Sequence, residues 1–310
     1  MRKTALNKVF ELAQNNKNVL FVGSDLGAGV LNDMKKSIPE RFLMEGVCEQ
    51  NIIGMSSGLA MEGFLPYVNT IGTFLTRRCY EQIVLDVCLH NLPVRFIGNG
   101  GGLVYAPLGP THLSTDDFAI LRVIPNMSII APCDAYEMGH LMDQSLNWPG
   151  PLYIRLARGG DQLITDKFKK LEIGKALIIK EPEDGLFITT GVMTQIANAA
   201  IELLTKDGYK VGLLHCSTVK PLDTKTVIDC VKNSKVTISV EEHSILGGFG
   251  SLILETVNEK LPNNKGKLIR IGLPDNFSKN YGDQESHLNH YGITKEKLYL
   301  KMKESLNVYK

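Results

Sequence analysis

An excess of either sign of charge is missing from this chain: 34 Lys and Arg stand against 33 Asp and Glu, a formal net charge of +1. That balance gives no electrostatic case for nucleic acid or an anionic membrane surface. No apolar run approaches the roughly 18 residues that span a bilayer. The start, Met1-Arg2-Lys3-Thr4-Ala5-Leu6-Asn7-Lys8, is too polar for a secretory signal. Six cysteines, at 48, 79, 88, 133, 216 and 230, form no Cys-x-x-Cys pair and mostly lie in apolar runs. They read as reduced thiols of a cytoplasmic protein, with Cys48 as buried filler. His243, His287 and His290 have no metal-ligand spacing with Cys or carboxylates, so no metal site is expected and these histidines belong on the surface or in loops. Repeats and low-complexity segments are absent as well.

What is present is apolar material: 44% hydrophobic and 22% charged residues in a chain of 310. That is enough for sizeable cores and about two domains. Short apolar runs at 18–23, 65–70, 93–98, 127–131 and 151–156 read as strands. Helical patterns at 5–15, 49–62, 74–90, 116–122 and 134–147 alternate with them. A polar stretch then carries one strand near 176–179, and the alternation restarts with strands at 186–190, 210–216, 236–242 and 268–272. Strand–helix alternation predicts α/β architecture: two doubly wound, parallel-sheet domains, the second smaller, with ligands at the carboxyl ends of the strands. The expected boundaries are a first domain over 1–165, a linker over 166–184 and a second domain over 185–310.

Glu49 is the residue that invites a functional reading. It precedes the Gly- and Ala-spaced helix pattern Gly54-Met55-Ser56-Ser57-Gly58-Leu59-Ala60. An apolar setting favours a protonated carboxyl, whereas a helix N-terminus favours the anion. Alone, Glu49 reads first as a dipole partner and only second as a proton-handling group. The Gly247-Gly248-Phe249-Gly250 segment before a helix lacks the spacing of a phosphate loop, so tight helix–strand packing is the expectation there.

Further strand ends add an ordered set: Glu49-Gln50-Asn51, Thr73-Phe74-Leu75-Thr76-Arg77, Gly109-Pro110-Thr111-His112, Ile124-Pro125-Asn126-Met127, Ala131-Pro132-Cys133-Asp134 and Arg155-Leu156-Ala157-Arg158. From about 18 to 160 this set resembles the pyrimidine-binding domain of the transketolase family, deoxyxylulose-phosphate synthase included. Residues 185–310 resemble the family's C-terminal domain through Glu241-Glu242-His243 and Gly247-Gly248-Phe249-Gly250. The family's diphosphate-binding domain has no counterpart, and no Gly-Asp-Gly metal motif occurs. The resemblance is therefore to the C-terminal subunit of a split transketolase.

The resemblance implies thiamine diphosphate as cofactor, with Mg²⁺ or Ca²⁺ held by ligands on an N-terminal partner subunit in an α2β2 assembly. It implies transfer of a two-carbon ketol unit from a ketose donor to an aldose acceptor. By the same resemblance Glu49 hydrogen-bonds and activates the aminopyrimidine, Phe74 stacks on it, Ile71 packs where relatives carry an aromatic, and Arg77 lines the site. His112 contacts the donor sugar as a catalytic and substrate-binding residue, Arg158 binds substrate phosphate, and Asp25 stands at the entrance. Two departures point to a changed donor. Leu108 replaces the acidic residue that reads a sugar hydroxyl, and Gly100 and Gly101 replace basic or polar contacts. The alternatives are the β subunit of a 2-oxo acid dehydrogenase decarboxylating component, a thiamine-dependent synthase, and a non-catalytic binding homologue.

Overall fold

The strand Val19–Gly23 is Val-Leu-Phe-Val-Gly and is buried on both faces. A continuous apolar run of this kind needs cover above and below, the condition of a parallel sheet between helical layers. The computed structural model describes residues 1–24 and 29–308; Asp25 lies outside the described residues. In chain order the strands are β1 (Val19–Gly23), β2 (Phe42–Met44), β3 (Leu65–Ile71), β4 (Arg95–Asn99), β5 (Ser128–Ile130), β6 (Leu152–Leu156), β7 (Leu177–Lys180), β8 (Gly185–Thr189), β9 (Val211–His215), β10 (Thr218–Lys220), β11 (Val236–Ser244) and β12 (Lys267–Leu273).

They form a seven-stranded sheet in the order β10-β5-β6-β4-β3-β1-β2 and a five-stranded sheet in the order β12-β11-β8-β9-β7. Both are parallel except at one edge of each, where β10 runs antiparallel to β5 and β7 antiparallel to β9. The architecture is two α/β units with mostly parallel sheets. No helix of the described residues is long and apolar enough to cross a membrane.

The two units are joined through a shared strand and a shared apolar cluster. β10 follows β9 in the chain but completes the edge of the first sheet, where Thr218 pairs with Ile130. One apolar cluster accordingly mixes Phe96, Phe118 and Ile129 of the first unit with Leu214, Val219 and Phe249 of the second. A buried ion pair stands at the same junction. Arg155 Nε donates to Asp117 Oδ2 at 2.8 Å, and its Nη2 donates to the carbonyls of Ser114 and Glu242. Tyr153 Oη donates to the same Asp117 oxygen.

Three expectations need correction. The helix expected over 74–90 is broken into Gly72–Thr76, Tyr80–Gln82 and a π-helical turn Ile83–Cys88. His243 and His287, expected at the surface or in loops, are buried, His243 stacked on Phe118 at 5.3 Å between ring centroids. Cys48, expected to be buried, is only half-buried, and its thiol donates to the Glu45 carbonyl. The other five cysteines are buried and unbridged.

Candidate functional site

Glu49 is the first residue of the helix Glu49–Met61 and is 2% exposed. The Gly72–Thr76 helix starts directly where β3 ends, which puts Phe74 at the carboxyl edge of the sheet. Arg78, in the turn after that helix, joins the two. Its Nη1 donates to Glu49 Oε2 at 2.8 Å, and its Cζ lies 4.2 Å from the centre of the Phe74 ring. His112 sets its ring edge-on to Phe74, with centroids 5.1 Å apart. Thr111 Oγ1 lies 2.9 Å from His112 Nδ1. Glu49, Phe74 and His112, distant in sequence, thus form one contiguous patch.

The patch can be tested for the ring it is expected to hold. A guanidinium is planar, carries N–H groups in its plane and stacks on aromatic faces. Here it lies over Phe74 while donating to Glu49. That pairing of an apolar ring face with a carboxylate acceptor is what a flat, amino-bearing heterocycle requires. The residues present fit an aminopyrimidine.

The remaining expected site residues divide into two neighbouring places. Arg77 donates to the Leu113 carbonyl at 3.3 Å and to Thr73 Oγ1, and its Nε lies 3.8 Å from Asp116 Oδ2. It lines a cavity of about 310 Å³ between the two units, with Asp116, Leu113 and Tyr291. Burial pushes the Asp116 carboxyl up, against the pull of Arg77. Arg158 and Leu108 line a second cavity of about 280 Å³, together with Arg2, Gly100 and Tyr105. Leu108 is 55% exposed. A Cβ on Gly100 would run into the Tyr105 ring, and one on Gly101 would lie 2.6 Å from Arg155 Cγ, so neither position has room for a side chain. Ile71 is buried at the end of β3.

Known families match this arrangement over nearly the whole chain. The transketolase pyrimidine-binding domain matches residues 1–160, and the transketolase C-terminal domain matches residues 174–298. The chain belongs to the transketolase family. It is 37% identical over 301 residues to a 1-deoxy-D-xylulose-5-phosphate synthase of Carboxydothermus hydrogenoformans, covering 96% of this chain and 47% of that protein. The chain therefore spans about half the length of that relative. A subunit of an apulose-4-phosphate transketolase of Phocaeicola vulgatus is 33% identical over 298 residues, covering 95% of this chain and 94% of its own length. Among solved structures, a split gene transketolase described as an inactive beta4 tetramer superposes with a TM-score of 0.90 at 27% identity, covering 100% of this chain and 99% of that one.

Two features of this transketolase-family chain escaped the sequence. Arg78 is one, because nothing in the pattern ties it to Glu49. The other is a buried group in which Cys133, Glu137 and His215 bring candidate ligand atoms within 4.8 Å of one another. Its members satisfy each other directly: Glu137 Oε2 accepts the Cys133 N–H at 2.7 Å and lies 2.9 Å from His215 Nε2, whose Nδ1 lies 2.8 Å from Thr194 Oγ1.

In this chain Glu241 caps the helix Phe249–Lys260. Glu241 Oε2 accepts the Phe249 N–H at 2.6 Å and Oε1 the Gly250 N–H at 2.8 Å, so this chain's own carboxylate fills the helix N-terminus. A Cβ on Gly250 would lie 2.9 Å from Glu241 Oε1. Burial nevertheless raises the Glu241 pKa to about 7, outweighing the two N–H donors. The folded state then holds the proton more tightly than the unfolded chain. Glu241 costs nothing below about pH 4.3, and its cost grows as pH rises through about 7, reaching on the order of 3 kcal/mol. Thermal unfolding of the wild type and of Glu241→Gln between pH 5 and 8 is expected to show a flatter profile in the variant. Parallel profiles would remove Glu241 from that account.

Proposed function

We propose that the chain is the C-terminal-type subunit of a thiamine-diphosphate-dependent transketolase that works with a separate chain carrying the diphosphate-binding domain. The patch of Glu49 and Phe74 at the carboxyl edge of the first sheet, with a planar N–H-bearing group already held between them, carries this reading. The match to about half the length of one relative and to nearly the full length of one transketolase subunit supports the division of labour.

Each residue then has a physical task. Phe74 would offer a flat apolar face to the aminopyrimidine, and the Glu49 carboxyl would share a proton with a ring nitrogen, favouring the tautomer whose exocyclic nitrogen can take the cofactor's acidic proton. When bound, thiamine diphosphate would supply a nucleophilic carbon and a cationic ring able to take up the electron pair released as the ketol carbon–carbon bond breaks. His112, against Phe74, hydrogen-bonds the donor's carbonyl or hydroxyl oxygen. Arg158 meets a substrate phosphate at the second cavity, which Arg2 also lines, while Leu108 and Gly100 put no charged or polar side chain at their own positions. A donor with fewer polar groups than a common ketose phosphate suits such a wall.

The direct test is a transfer assay with a partner chain bearing a Gly-Asp-Gly diphosphate motif, thiamine diphosphate and Mg²⁺. Ketose-dependent transfer of two carbons to an aldose is expected from the mixture and none from this chain alone. Turnover by the isolated chain would overturn the divided-enzyme reading. The 37% identity to a synthase favours one second reading, condensation of a decarboxylated 2-oxo acid with an aldehyde. Consumption of pyruvate in place of a ketose by the same mixture would select it.

A further inference from the structure

Arg78 uses both surfaces that the proposed function assigns to the cofactor. Its guanidinium covers the Phe74 face at 4.2 Å and occupies the Glu49 carboxylate at 2.8 Å. Two planar groups cannot share one ring face at that separation, and Glu49 Oε2 cannot serve both at full strength. The Arg78 side chain is 43% exposed, so it can leave toward solvent. It sits in the turn at residues 77–79 between the helices Gly72–Thr76 and Tyr80–Gln82, outside regular helix.

The geometry points to Arg78 as an internal occupant of the aminopyrimidine seat, displaced when the cofactor binds. This rests on the reading of Glu49 and Phe74 given above. Without ligand, the guanidinium gives the nearly buried Glu49 a charge partner and shields the apolar ring, contacts whose loss is costly for a desolvated carboxylate. With ligand, those contacts must be exchanged, so the seat binds the ring only after a competing side chain is removed. A site whose competent form is a minor population has its affinity lowered by that fraction. This chain's half of the site therefore stays closed to weak ring-bearing ligands and opens for one that the diphosphate-binding half also holds.

The test is a calorimetric titration of thiamine diphosphate with Mg²⁺ into the chain mixed with its partner, comparing wild type with Arg78→Met. Methionine keeps an apolar stem and removes the planar cation. The expected result is affinity tighter by about tenfold, from loss of the cation–π and ion-pair competition. Arg78→Lys, which keeps charge but not planarity, is expected to fall between the two. Proton NMR of wild type adds a readout independent of affinity. The Arg78 δ-methylene protons should carry an upfield ring-current shift from Phe74 that disappears on saturation with the cofactor. Equal or weaker binding by Arg78→Met, or a ring-current shift unchanged at saturation, overturns the displacement while leaving the function intact. Absence of binding by every form would instead overturn the function reading, and the displacement with it.

Discussion

Glu49→Gln, assembled with a partner chain, is expected to lose about 10²- to 10⁴-fold in kcat, the range a positioned proton-transfer group contributes. The amide preserves the side chain's shape and still accepts a hydrogen bond from Arg78, so the loss isolates proton transfer from packing. Folding should change little. The lost ion pair involves an arginine that is 43% exposed, and such a pair contributes on the order of 1 kcal/mol or less. Steady-state kinetics beside far-UV circular dichroism and a thermal unfolding curve check both halves. Near wild-type turnover would remove Glu49 from the proton path and leave it a helix-dipole partner.

Asp117→Ala is expected to cost about 3–5 kcal/mol of folding stability, because it strands a buried guanidinium. Asp117 is 0% and Arg155 7% exposed, and the carboxylate accepts from Arg155 Nε, Tyr153 Oη and the Phe118 N–H. Burial opposes the Arg155 charge, yet Asp117 and Glu242 together raise its pKa. The arginine also clamps carbonyls from both units, Ser114 in the first and Glu242 in the second. The double variant Asp117→Asn/Arg155→Met, which removes both charges, is expected to recover part of the loss. Urea unfolding of the three proteins measures this. A cost below about 1 kcal/mol for Asp117→Ala would mean that water or a rearranged partner reaches Arg155.

The sheets were legible because their strands are continuous apolar runs closed by turn residues. β1, β3, β4 and β6 fall within one or two residues of the expected ranges. β2 and β10 were not: unlike the three residues of β5, which sit in the apolar run 127–131, theirs lie in mixed polar surroundings with no periodicity of their own. β10 in particular depends on β5, far away in sequence. The break after Thr76 was hidden because Tyr80 to Cys88 keeps a helical apolar pattern that a π-turn only shifts. His243 looked like a surface histidine because its cover, Phe118 and Asp117, comes from the other unit. At the site, Glu49, Phe74 and His112 were legible as an ordered set of strand ends. Arg78 was not, because its meaning lies in a contact across 29 residues of chain.

Glu49 and Phe74 are proposed to form one half of a thiamine diphosphate site whose other half lies on a separate chain. The most direct test is calorimetric titration of thiamine diphosphate with Mg²⁺ into this chain, into a partner bearing the Gly-Asp-Gly motif, and into their mixture. Tight saturable binding is expected only in the mixture, and is expected to be lost there when Phe74 is replaced by alanine. Tight binding by this chain alone, or a mixture that binds equally well with Phe74→Ala, would contradict the account.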